Sequence, residues 1–314
     1  MSFYNVQNPQ NFAIKHPGKS AIQDFINDTL YNLSIAESIA IGLGAAAEHQ
    51  LKCCIAIGKD AGALNQGWVG ETTDDDDQYR GNAIAMGCEA GKTNQYARCI
   101  AIGYQAGNLT QGWDNSPTGP DNDNYASIAI GHQAGRQNQV CESIAIGLQA
   151  GEEDQGNISV NEYSDGGCIA IGKRAGRYQQ LEHCIAIGSY AGNTAQGGSS
   201  GNAIAIGHNA GNTNQRGNTI AIGQDAGNLN QNWDGIAIGH YAGQNNQGTY
   251  AIAIGRGAGT NNQASNSIVL NANGGVLDAG TNGFFVKPVR NDIGGGYPVY
   301  YNPGTGEFYW VNPL

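Results

Sequence analysis

From residue 39 to residue 263 the apolar and polar positions follow one recurring phrase, Ile-Ala-Ile-Gly-x-x-Ala-Gly-x-x-x-Gln, with few lapses. Its copies begin at Ile39, Ile55, Ile84, Ile100, Ile128, Ile144, Ile169, Ile185, Ile204, Ile220, Ile236 and Ile252, and a degenerate thirteenth, Ile268-Val269-Leu270-Asn271, closes the series. Eight of the twelve intervals are 16 residues, and the others are 29, 28, 25 and 19. The extra residues follow the second, fourth, sixth and eighth copies, always after the Gln, so they leave the repeat at one corner. Sixteen residues are too few for a helical-hairpin repeat or a propeller blade. Ile-Ala-Ile-Gly alternates large and small with the period of a short strand. The unit predicts one coil of a parallel β-roll or β-solenoid, made of a strand, a Gly turn, a second short strand and a polar return. At the ~4.8 Å spacing of neighbouring strands, the stack becomes a rod roughly 60 Å long.

Side-chain size suggests which face is which. The two Ile of each strand are expected to fill the interior, and the small positions to face outward, where another backbone can approach. A long strip of small residues on an exposed sheet predicts an intimate homo-oligomer. The Gln at the twelfth position recurs in every full copy: Gln50, Gln66, Gln95, Gln111, Gln139, Gln155, Gln180, Gln196, Gln215, Gln231, Gln247 and Gln263. Stacked amides in register donate and accept along a column, so these residues are expected to form a structural ladder. After the Gln, Leu51, Tyr96, Val140 and Leu181 alternate with Gly or Asn in the next coil, which makes the full unit a pair of coils.

Other polar residues are candidates for chemistry. Cys54, Cys99, Cys168 and Cys184 share one repeat position with Ser38, Ser127, Ser143, Ala83, Ala203, Ala251 and Thr219. That interchange marks a small filler rather than a thiol or metal column. Seven Cys without CxxC spacing form neither a disulfide framework nor a zinc site. The insertions carry the candidates for surface contact: Trp68, the run Asp74, Asp75, Asp76 and Asp77, and Tyr79 in the first, and Trp113, Asp121, Asp123 and Tyr125 in the second. Aromatic and carboxylate groups of this kind stack on sugars or hold Ca²⁺. Trp68, Trp113 and Trp233 all stand two residues past the Gln, a corner-clamping position, and the Asp run lacks the DxDxDG spacing of a calcium loop. No metal, cofactor or catalytic residue is expected. Three of the six His stand at the variable position after the Gly, and the 16-residue period is not the multiple of six used by left-handed β-helix acyltransferases.

Outside the repeat, Ser20-Ala21-Ile22-Gln23 reads as a capping box, and Ile22, Phe25, Ile26, Leu30 and Leu33 recur at helical spacing. Residues 1–37 thus predict an arm and a helix that caps the open end of the stack. Residues 38–271 form the repeat domain. Residues 272–314 form a β-rich tip with a hairpin around Asn302-Pro303-Gly304-Thr305-Gly306.

The formal net charge of −11 argues against nucleic acid. No stretch approaches a membrane span, so membrane insertion is not expected. A chain that starts at Met1 without an apolar leader is expected to be made in a cytoplasm. Sequons stand at Asn27, Asn32, Asn108 and Asn157.

The Ser/Cys-Ile-Ala-Ile-Gly-x-x-Ala repeat over residues 38–270 resembles the head repeat of trimeric autotransporter adhesins. Phe284-Phe285-Val286-Lys287-Pro288-Val289-Arg290, followed by Tyr300-Tyr301-Asn302-Pro303-Gly304-Thr305-Gly306-Glu307, resembles the segment after such repeats in fibre and tail-associated proteins of phages and large DNA viruses. The resemblance implies a left-handed parallel β-roll, three of which wrap into a homotrimer. The longer coil, with neither a membrane-anchoring barrel nor a secretion signal, directs the reading to a viral appendage at the virion surface. The expected function is that of a structural fibre, with self-association as the main partnership. The alternatives are a receptor-binding head whose loops at 67–82, 112–126, 156–167 and 197–202 take a host glycan, and a subunit of a head-to-tail filament.

Overall fold

The computed structural model describes residues 38–68, 81–113, 126–156, 166–289 and 299–310. They form an all-β parallel solenoid of about thirteen turns, with no helix among the described residues. The helix expected before residue 38 lies outside them.

Each coil contributes two strands. The Ile-Ala-Ile segments stack into one parallel sheet, and the segments ending in Gln stack into a second of 11 strands. Register is kept across every insertion. Ile57 pairs with Met86 over the longest one, and Ile146 pairs with Ile171 over the third. The first sheet has 14 strands because it continues past Asn271: Gly283–Lys287 pairs in parallel with Ser267–Asn271, placing Phe284 beside Ile268 and Val286 beside Leu270. Phe284 follows Ile268 by the same 16 residues, so the coil spacing persists after the phrase itself has gone. An antiparallel hairpin, Val299–Asn302 with Glu307–Trp310, follows. The Phe308 ring of the hairpin stands 5.9 Å from the ring of Phe284.

The faces are reversed from the expectation drawn from side-chain size. The central Ala of each Ile-Ala-Ile strand points inward, and Ala56, Ala101, Ala145, Ala205 and Ala253 are fully buried. A second Ala column, including Ala61, Ala106, Ala150 and Ala210, completes the apolar core. None of the Ile residues in these strands is buried; each is half-buried or exposed on the outer face.

Backbone geometry explains the reversal. In coil 128–143 the left-handed region is occupied by Gly131 (φ 132°), Gln133 (56°), Gly135 (50°), Asn138 (53°) and Glu142 (55°). So many left-handed residues bend the chain tightly, and the inward positions opposite one another are two Ala columns packed together. Ala, Gln and a Cys or Ser fill the interior, and the bulky Ile turns outward. The non-glycine left-handed places often hold Asn or Asp, the L-residues that tolerate this region best.

Two glycines are required by contact as well as by φ. A Cβ on Gly131 would stand 2.5 Å from the carbonyl oxygen of Gly147 in the next coil. One on Gly135 would stand 2.6 Å from Oε1 of Gln139. Gly131→Ala is therefore expected to lose about 2 kcal/mol or more, from a strained φ and a backbone clash that cannot relax without parting two coils. Hydrogen exchange should quicken in strands Ile128–Ile130 and Ile144–Ile146 while distant coils keep their protection. Unchanged protection there would contradict this packing.

Candidate functional site

The predicted Gln ladder residues lie between the sheets, and Gln66, Gln95, Gln111, Gln139, Gln155, Gln180, Gln196, Gln215, Gln231 and Gln247 are fully buried. Gln139 shows how a polar side chain is accommodated there. Its Oε1 accepts from Nε2 of Gln111 at 3.1 Å, and its Nε2 donates to Oε1 of Gln155 at 3.1 Å. The same Nε2 lies 2.9 Å from the Ile128 carbonyl and 3.2 Å from that of Ser143. Each amide thus closes its own coil and links it to the next, leaving few polar groups unsatisfied in a very thin interior. The amide-to-amide links continue from Gln50 to Gln196, but the links from Gln196 to Gln215 and from Gln231 to Gln247 are not made. The acceptor oxygens of Gln215 and Gln247 are left without partners.

Two further ladders run along the outside. Asn214, Asn230, Asn246 and Asn262 occupy one left-handed column, each donating to the next at 2.9 to 3.0 Å. At another turn Gln105 donates to Glu89, Gln133 to Gln105, Gln149 to Gln133, and Arg174 to Gln149. The Gln105 amide holds the Glu89 carboxyl below its ordinary pKa. Glu152, almost fully buried, is bracketed by Arg136 at 3.4 Å and Arg177 at 2.5 Å from the coils on either side. Sequence reasoning did not identify these columns. Their available signal was the concentration of Asn at one place in the repeat, where the backbone needs φ > 0.

Cys54, Cys99, Cys168 and Cys184 are fully buried. They share a task with the hydroxyls of their column. The Sγ of Cys168 donates to the Leu181 carbonyl at 2.8 Å, as the Oγ of Ser127 does to that of Val140 at 2.9 Å. Burial pushes the Cys99 and Cys184 thiols up to about 12 and Cys54 to about 11, and raises Cys168 well above its ordinary value. These groups remain protonated and poorly nucleophilic at physiological pH. In the native protein at pH 8, a thiol reagent is expected to modify only Cys53 and Cys88 of the seven cysteines rapidly, and all seven after denaturation. Rapid modification of four or more native thiols would contradict the burial.

Of the predicted contact residues, Trp68 ends the strand Leu64–Trp68, and Trp113 ends Leu109–Trp113 with its side chain exposed. Asp74, Asp75, Asp76, Asp77, Tyr79, Asp121, Asp123 and Tyr125 lie outside the described residues. Within the described residues no group of three or more His, Cys, Asp or Glu side chains is placed to hold a metal ion, and no helix is long and apolar enough to cross a membrane. His240 stacks on Tyr241 at 3.7 Å, and the His132 ring lies tilted 5.0 Å from that of Tyr104.

The largest unexplained surface is apolar. Two columns of Ile, with Met86 in one place, run the length of the first sheet, then pass to Ile268 and Leu270 and to Phe284 and Val286. Ile41, Met86, Ile171, Ile187, Ile254, Ile268 and Phe284 are all exposed. A continuous apolar stripe of this kind is the mark of a contact surface.

The chain matches no protein-family model, no curated protein and no solved structure. Its function is therefore read from this geometry.

Proposed function

We propose that the chain is the subunit of a structural fibre, a stiff homotrimeric rod whose three solenoids bury their Ile stripes against one another. The stripe is the observation that carries this reading. It is continuous, two residues wide, in register from coil to coil, and built into the same strands whose inner face makes the core. Flat parallel sheets with one apolar face favour closed cyclic association, which removes all the stripes from water at once. The polar residues of the described coils are largely engaged in ladders along the axis, which suits a rod that bears load. The trimer, the left-handed sense of the coil and placement on a virus particle follow the resemblance of the repeat and of the Phe284–Glu307 segment to fibre proteins. Electron microscopy of the purified protein tests the rod. Uniform particles roughly 60 Å long support it, whereas compact globules would overturn it.

A second reading, a receptor-binding head, is favoured by one observation. All four insertions follow the Gln of their coil, at one corner of the repeat, and the second starts at the exposed Trp113. Loss of receptor attachment on deleting residues 69–80 and 114–125 with the rod intact would make display, rather than spacing, the task of the appendage.

A further inference from the structure

One left-handed column contains a residue that does not suit it. The place held by Asn65, Asn94, Asn138, Asn214, Asn230, Asn246 and Asn262, and by His49, Thr110, Asp154 and Gln179 in the remaining coils, is held by Ala195, at φ 55°, the one member of the column without a hydrogen-bonding side chain. Alanine gains no local hydrogen bond there to offset the left-handed backbone. A local rule broken without a structural gain is a mark of function.

Ala195 borders a recess of about 520 Å³ against the short insertion after the eighth coil. Ser199, Asn214, Arg216, Asn230, Asn232 and Trp233 line it. Because Ala195 supplies no amide, the Asn ladder begins at Asn214, and among the described residues no donor is bonded to the Asn214 Oδ1. The Arg216 guanidinium stands 5.8 Å from the centre of the Trp233 ring and has no carboxylate partner among the described residues. One edge of Trp233 packs against Gly217, where a Cβ would lie 2.7 Å from its Cζ3. Ser200 Oγ crowds the same point on Gly217, and it is buried without a hydrogen-bond partner. The recess thus combines an aromatic plate, a guanidinium set over it without a carboxylate partner among the described residues, and an open amide acceptor.

We propose that this recess binds a saccharide carrying a carboxylate. The sugar ring lies along Trp233, its carboxylate meets Arg216, and its hydroxyls donate to Asn214 Oδ1 and exchange hydrogen bonds with the neighbouring amides. An apolar ligand would leave the amides unpaired, and a neutral sugar would leave Arg216 unused. The site deepens the receptor-binding reading by assigning a ligand class. It is built within one chain at a corner away from the Ile stripe, so failure of the trimer and failure of this site are separate results.

The test is titration of the full chain with 3′-sialyllactose and with lactose, followed by saturation-transfer NMR and tryptophan fluorescence. Sialyllactose is expected to bind at least tenfold more tightly than lactose. Ala195→Asn extends the Asn column into the recess, so it should keep or raise thermal stability while weakening binding at least tenfold. Arg216→Gln, an exposed change that leaves the fold alone, should reduce sialyllactose to the level of lactose. The proposal is overturned if sialyllactose does not bind, if lactose binds equally well, or if Ala195→Asn binds like the parent protein.

Discussion

If the proposed trimer forms, Ile146→Asp is expected to turn it into a folded monomer. Ile146 lies in the middle of the stripe, paired in register with Ile130 on one side and Ile171 on the other, and is half-buried in the single chain. In an isolated solenoid a carboxylate there reaches water and changes little. In the trimer three carboxylates would be desolvated close together, each at a cost of several kcal/mol, because a symmetric interface repeats every substitution in each copy. Size-exclusion elution should shift to a single chain while the β-sheet signal in circular dichroism persists. Ala145→Asp, one residue away on the fully buried inner face, should instead destroy the coil. If Ile146→Asp unfolds the chain, the Ile columns are core and the faces are assigned wrongly. If it leaves elution unchanged, the stripe is not the interface.

Gln139→Ala is expected to be the most damaging conservative change within the rod, at about 3 to 5 kcal/mol of local stability. It opens a cavity in a fully buried position, removes the amide donor to the carbonyls of Ile128 and Ser143, and removes the partner of both Gln111 and Gln155. Because each coil touches only its neighbours, the damage should remain local, and hydrogen exchange across coils 128–155 is the suitable readout. Gln139→Glu refines the test through pH. Burial raises a carboxyl pKa, so the folded value would exceed the unfolded one, and stability would be present at low pH and lost as pH rises through the folded value. A variant indifferent to pH, or a Gln139→Ala protein with unaltered exchange, would show that the ladder contributes little.

Much of this architecture was legible in the chain. A 16-residue period with all four insertions after the same Gln places every Ile-Ala-Ile strand and fixes the register, since only equal spacing stacks equal residues. The hairpin at Val299–Trp310 was legible from alternating aromatics around Asn302-Pro303-Gly304. The direction of the faces was not, because a period of two states that faces differ without saying which is inside. Side-chain volume misled, since it assumes a core wide enough for Ile. The better signal was uniformity within the repeat: Ala holds the middle of all twelve strands, whereas the flanking place accepts Met86. A thin interior tolerates one size, and a half-exposed face tolerates several. The continuation of the sheet through Phe284–Val286 was hidden because the phrase changes there while the spacing does not. The place of Ala195 could not be read without φ, which turns an unremarkable alanine into the one residue of a left-handed column without a hydrogen-bonding side chain.

The most direct test of the trimeric rod is the absolute mass of the purified, unmodified chain, measured by light scattering at micromolar concentration. Packing of three Ile stripes predicts a single species of about 98 kDa, three times the 32.7 kDa chain. A stable, monodisperse monomer would contradict it, since the stripe would then stand uncovered in water.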